Sequence, residues 1–128
     1  PVKEGYLGSG YGYREDPFTD KVRFHYGQDF AVNTGTKIYA PADGKVKFAS
    51  NQGGYGKVIK IDHGNGFRTI YAHVSKIKVK YGSLVKRGDL IGLSGNSGRS
   101  AGPHLHYEVH QYGAPQNPLD YFFFCFLK

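Results

Sequence analysis

The chain has no methionine, no tryptophan and a single cysteine, Cys125. One cysteine excludes an internal disulfide and any zinc site built on thiolates, and it fixes no redox compartment. Without methionine, Pro1 is not a translation start, so the domain is expected to be cut from a longer protein. No signal peptide is recognisable, and no apolar run approaches the ~20 residues that a spanning helix needs. The run Tyr121-Phe122-Phe123-Phe124-Cys125-Phe126-Leu127 is apolar but too short. It is expected to pack on the domain or on neighbouring chain, since exposed alone it would be an aggregation hazard. Also missing is any stretch with a clean helical period bounded by start and stop signals.

What is present points to β structure. There are 19 Gly, 11 Tyr and 9 Phe in 128 residues, a composition of short strands joined by tight turns. The length suits one domain, with a core over about residues 8–119 and an aromatic tail at 120–128. Lys57–Asp62 and Phe67–His73 are β-rich runs on either side of Asn65-Gly66, a dipeptide suited to a two-residue hairpin turn. Further strands are expected at Phe24–Ala31, Lys37–Ala40, Gly44–Ala49, Leu90–Ser94 and Leu105–His110. Residues 82–89 read as turn, short apolar pair and turn, Gly95–Pro103 as a glycine- and serine-rich loop, and Val74–Val79 as a place for a short turn of helix. The fold class is all-β and mostly antiparallel.

Seventeen Lys and Arg stand against ten Asp and Glu, a formal charge of +7. This favours a polyanionic partner: nucleic acid, an anionic membrane surface or an acidic wall polymer. A nucleic-acid-binding β domain fits charge and aromatics. It lacks a stacking motif or a clustered basic stripe, however, and leaves the histidines unexplained, so no nucleic-acid partner is expected.

Those histidines carry the chemistry. His25 and Asp29 stand four apart, and His104 and His106 two apart. Even spacing puts side chains on one face of an extended strand. His25 and Asp29 share a face only if Phe24–Phe30 stays extended, with Gly27 between them leaving room for an ion. Imidazole and carboxylate together suit Zn²⁺, whose catalytic sites keep three protein ligands and an open position. Spacing leaves open which three of the four bind, and it does not prove zinc over another divalent ion. His73 ends a hairpin strand and is a candidate acid or base. Glu108 shares the face of His104 and His106, either to orient one of them or as a surface carboxylate. His63 and His110 read as solvent-facing. Asn33, Asn96 and Ser97 are candidate rim or turn residues.

His25-Tyr26-Gly27-Gln28-Asp29-Phe30, Tyr71-Ala72-His73 and Gly102-Pro103-His104-Leu105-His106-Tyr107-Glu108 resemble, in order, the three motifs of the lysostaphin/LytM-type zinc endopeptidases. Gly35-Thr36 through Val46, then Gly88-Asp89-Leu90-Ile91-Gly92 and Gly95-Asn96-Ser97-Gly98, resemble its intervening segments, so the likeness runs from about Gly8 to Leu119. The resemblance implies an open-grooved β domain with one Zn²⁺ per chain held by His25, Asp29 and His106. It implies that His73 and His104 are catalytic, as acid/base and oxyanion stabiliser. Family members cleave peptides of bacterial peptidoglycan outside the cytoplasm. Gly10–Thr19 resembles the lead-in of Gram-negative members, which favours D-alanyl–diaminopimelate bonds over glycine bridges and a periplasmic or extracellular setting. Arg14 in that lead-in is a candidate cleft residue. A monomer with an open site is expected, with segments outside this chain serving inhibition or peripheral association with membrane or wall proteins. The alternative is a non-catalytic wall-binding or amidase-activating scaffold. Relatives of that kind generally lack a site residue, whereas all five are present here.

Overall fold

The computed structural model describes residues 6–7, 12–15, 22–25, 27–96 and 102–117, with side chains from Gly27 onward. The tail at 120–128, Ser97 and the side chains of Arg14 and His25 lie outside the described residues.

Among the described residues, alternating apolar positions and tight turns build twelve strands: β1 (Tyr6–Leu7), β2 (Gly12–Glu15), β3 (Val22–His25), β4 (Gln28–Ala31), β5 (Lys37–Tyr39), β6 (Gly44–Asn51), β7 (Lys57–Gly64), β8 (Phe67–Ile77), β9 (Leu84–Val85), β10 (Leu90–Ser94), β11 (Leu105–Gln111) and β12 (Ala114–Gln116). Among the described residues the only helix is a 3-10 turn at Gly53–Tyr55, and no helix is long and apolar enough to cross a membrane.

The main sheet runs β1-β4-β11-β8-β7-β6-β9, with β12 on β11 and with β10 between β5 and the far end of β8. β2 and β3 form a separate hairpin. All pairings are antiparallel, as expected of the all-β class. The β7–β8 turn is Asn65-Gly66 with φ of 51° and 79°, both positive as a type I′ turn requires. Tyr112-Gly113 repeats the device between β11 and β12, with φ of 50° and 81°.

The two sheet faces differ in kind. One buries the main core, in which Val46, Ile59, Ile61, Tyr71, Leu105, Tyr107 and Val109 interdigitate with Ile38, Val85 and Ile91. The other holds a small apolar cluster of Val58, Ile70 and Ala72 with Phe48 and Tyr55 packed on it. Otherwise this second face is left open to polar groups.

Two expectations about strands change. Phe24–Ala31 is not one strand: β3 and β4 lie in different sheets, with a bend at Gly27. A Cβ built at Gly27 would collide with the Tyr107 carbonyl oxygen and stand 3.0 Å from His106 Cε1. The glycine therefore lets the chain cross close over β11. Val74–Val79 holds no helical turn. β8 continues to Ile77 because its last residues, beyond the reach of β11, pair with β10.

Candidate metal centre and catalytic histidines

β4, β11 and β8 lie side by side, and their register stacks the polar residues. Asp29 opposes His106, and His106 opposes Ala72. His106 Nδ1 lies 2.9 Å from Asp29 Oδ1, and His104 Nε2 lies 3.8 Å from the same oxygen. Leu105, Tyr107 and Val109 alternate into the core while His104, His106, Glu108 and His110 face the open side, as the spacing of β11 predicts.

His73 arrives by another route. Strand parity would put it beside Tyr71 on the core face. Instead Tyr71 pairs with Ile59 and Val74 with Lys57, so Val58 faces two residues, Ala72 and His73. His73 is the extra residue of a β-bulge, with φ of 61°. A bulge re-aims one side chain while the strand continues, and a left-handed non-glycine residue costs about 1–3 kcal/mol. The ring of His73 consequently lies 4.8 Å from that of His104 and 6.1 Å from that of His106, centroid to centroid. β10 secures the bulge: Ser75 Oγ donates to the Ser94 carbonyl at 2.8 Å, and Gly95 sits so close that a Cβ there would meet Ser75 at 2.7 Å and His73 O at 3.0 Å. Gly95 O accepts the His104 backbone N–H at 3.1 Å, which ties the two catalytic candidates to one glycine.

Behind His106 lies a buried polar chain. Its Nε2 is 2.7 Å from Glu108 Oε2, Tyr55 Oη donates to that same oxygen at 2.8 Å, and His110 Nε2 is 2.7 Å from Glu108 Oε1. Glu108 is 1% exposed, so it is a buried positioning group and not a surface carboxylate. Burial disfavours the charged form of both members. Hydrogen bonds from His106 and His110 outweigh it at Glu108 and hold the carboxyl at about 2. Hydrogen bonds to Asp29 and Glu108 outweigh it at His106 and lift the ring to about 9. A charge this deep persists only when paired.

His110 is thus half-buried and bonded rather than solvent-facing. The same correction applies to His63, whose Nδ1–H donates to Asp43 O at 2.8 Å. Its Nε2 then accepts from Thr69 Oγ1 at 2.6 Å, and Thr69 accepts from Tyr71 Oη at 2.7 Å. Its role is to pin the end of β7 to the β5–β6 connection and to β8. Asn33 and Asn96 are exposed at the sheet end that carries the site. Asn33 O accepts from Ser94 Oγ at 2.9 Å, a turn-holding contact. Tyr55 was not foreseen as a functional residue, although its setting between Gly54 and Gly56, the latter with φ of 68°, marks the tight turn that aims it.

The structure therefore brings Asp29, His73, His104 and His106 together. The backbone of His25 ends β3, paired with Gly12. Among the described residues no three metal-binding side chains cluster by themselves. Two of the three expected ligands, Asp29 and His106, are already in contact.

This geometry has known counterparts. The model of peptidase family M23 matches residues 23–118, and the chain belongs to that family. It is 48% identical over 106 residues to the peptidoglycan DD-endopeptidase ShyA of Vibrio cholerae, covering 83% of this chain and 25% of that protein. A solved zinc containing peptidase from Vibrio cholerae matches with a TM-score of 0.85 at 40% identity, over 91% of this chain and 37% of that one. The catalytic domain of lysostaphin from Staphylococcus simulans matches with a TM-score of 0.83 at 35% identity, over 91% of each chain. The fold is thus the lysostaphin/LytM-type β domain. The chain spans about a quarter of the length of the curated relatives it matches, 22% to 26%. Membership of a metallopeptidase family implies a metal ion, and the imidazole and carboxylate donors of Asp29 and His106 fit one.

Proposed function

We propose that the chain is the catalytic domain of a zinc endopeptidase that hydrolyses peptide cross-links or stem peptides of bacterial peptidoglycan in the cell envelope, D-alanyl–diaminopimelate bonds being favoured. The observation that carries this reading is the convergence of Asp29, His73, His104 and His106 on one open sheet face. Resemblance to a named peptidoglycan endopeptidase supports the substrate class.

Zn²⁺ would be held by His25, Asp29 and His106. The donor chemistry fits. His106 Nε2 is committed to Glu108, which directs Nδ1 toward Asp29, the side where a shared ion is needed. When bound, the ion supplies Lewis-acid polarisation of the scissile carbonyl and of the attacking water.

The remaining work falls to this chain's own groups. His104 Nδ1 is 2.7 Å from Gly102 O, a carbonyl that only accepts, so Nδ1 carries the hydrogen and Nε2 the lone pair in the neutral ring. His104 Nε2 is therefore the proton acceptor: it takes the proton of the attacking water and returns it to the leaving amine nitrogen as the C–N bond breaks. His73, held beside it by the bulge, donates an N–H to the oxygen on which negative charge develops.

The test is metal content by elemental analysis, run on the same sample used to digest purified cross-linked peptidoglycan with and without chelator. The expected result is about one zinc per chain and chelator-sensitive products, whose masses name the bond. Metal-free protein, or zinc-loaded protein that releases no product, would overturn the reading.

A further inference from the structure

The face that carries the catalytic cluster does not end there. Register runs Glu108 against Ile70, His110 against Arg68, Ile70 against Lys60 and Arg68 against Asp62. All of these side chains share the face of His106. All but the buried Glu108 line a groove of about 560 Å³ bounded by the Asn65-Gly66 and Tyr112-Gly113 turns. Its floor is buried Ile70, and its walls are Lys60, Asp62, Arg68, His110 and Tyr112.

The groove is built for an anion with an apolar stem. Lys60 lies with Nζ 5.3 Å from the centre of the Phe48 ring, so its stem covers the apolar cluster while its charge stays at the wall. Neither Lys60 nor Arg68 has a carboxylate partner among the described residues. Asp62, directly opposite Arg68, turns an oxygen to the Gly64 N–H at 2.9 Å instead. Two uncompensated cations thus face one carboxylate that is engaged in holding a turn. Tyr112, 78% exposed, offers an aromatic wall.

The groove is linked to the catalytic cluster along β11, where buried Glu108 touches His106 with one oxygen and His110 with the other. His110 lies four residues along β11 from His106, or roughly 13 Å. An extended peptide covers that distance in about four residues.

We infer that this groove is a substrate subsite for a carboxylate-bearing peptide arm, recognised by Lys60 and Arg68 three or four residues from the scissile bond. The inference rests on the peptide-hydrolase reading above. The subsite reads charge, whereas the histidine cluster acts on the amide.

The test uses the full-length, zinc-loaded protein and its K60Q/R68Q variant. Lys60 is partly exposed and Arg68 exposed, so the fold should persist, and a melting curve checks it. Two synthetic cross-linked peptides differ in one group three or four residues from the scissile bond, a free carboxylate in one and a primary amide in the other. The wild type should prefer the acid peptide by roughly tenfold in kcat/KM, expressed in KM, and the variant should lose that preference. The same discrimination should appear in Kd when non-hydrolysable versions of the two peptides are titrated by calorimetry, and should vanish in K60Q/R68Q. An acid-to-amide ratio unchanged by the substitutions, in KM or in Kd, would overturn the subsite. Failure to cleave either peptide would count against the hydrolase reading alone, since the Kd ratio still decides the subsite.

Discussion

β11 and β8 bring histidines to the same place by opposite means. Along β11 nothing is irregular: His104, in the bridge to Gly95 just before the strand, and His106 within it obey the two-residue period, with Leu105, Tyr107 and Val109 buried behind them. On β8 the period is broken, and His73 reaches the cluster only because one extra residue at positive φ turns it off the core face. The regular strand supplies groups that are fixed by sheet pairing and by Glu108. The irregular one supplies a group whose aim depends on the packing of β10 and Gly95. Metal retention should therefore belong to β11, and the finer geometry of oxyanion stabilisation to β8.

The largest test of that division removes one histidine from each strand. His106→Ala should lose metal and activity together, down to the uncatalysed background. His73→Ala should keep about one zinc per chain while turnover falls by roughly 10²–10⁴, the usual worth of one positioned acid, base or oxyanion donor. Metal analysis and turnover on the same samples decide it. A His73→Ala variant with near-normal turnover, or an equal loss of metal in both variants, would erase the distinction.

A smaller perturbation reaches the bulge without touching a histidine. In Gly95→Ala the new Cβ would meet backbone atoms of Ser75 and His73 that have little room to retreat. The variant should keep its metal and lose on the order of 10² in kcat, because displacements near 1 Å at a catalytic group cost about that much. Full activity in Gly95→Ala would mean that the bulge tolerates displacement and that His73 needs no such support.

The same contrast explains what could be read from sequence. His104, His106 and Glu108 follow a local period, and Asn65-Gly66 follows turn chemistry, so both were legible from adjacent residues. His73 was legible as a candidate but its orientation was not. Strand parity alone would put it on the core face, and the bulge is fixed by Val58 and Gly95, residues far away in sequence. The bend at Gly27 was hidden for the same reason, since it exists to clear Tyr107 across the sheet. His63 and His110 were misread as solvent-facing because their partners, Asp43, Thr69 and Glu108, are set by tertiary pairing and, at His110, by a face alternation whose burial depends on the strands around it.

The mildest test stays on β11 and asks what Glu108 contributes. Glu108→Gln keeps the shape but removes the charge that faces His106 and His110. Zinc affinity should fall by about 10–100-fold, the common cost of losing a group that orients a ligand. The metal-free protein provides an independent reading. The Glu108 carboxyl is held below its ordinary value of 4.5, at about 2. The folded state therefore favours the ionised form, and the resulting stability is present above pH 4.5 and lost as the pH falls through about 2. The stability gap between wild type and Glu108→Gln, measured by denaturant unfolding without metal, should be widest between pH 4.5 and 6.5, where Glu108 and His106 both contribute in full, and should close across that acid window. A gap that did not change with pH would show that Glu108 acts through shape and hydrogen bonding alone. The regular strand would then hold its ligand by the sheet, with no help from the buried charge.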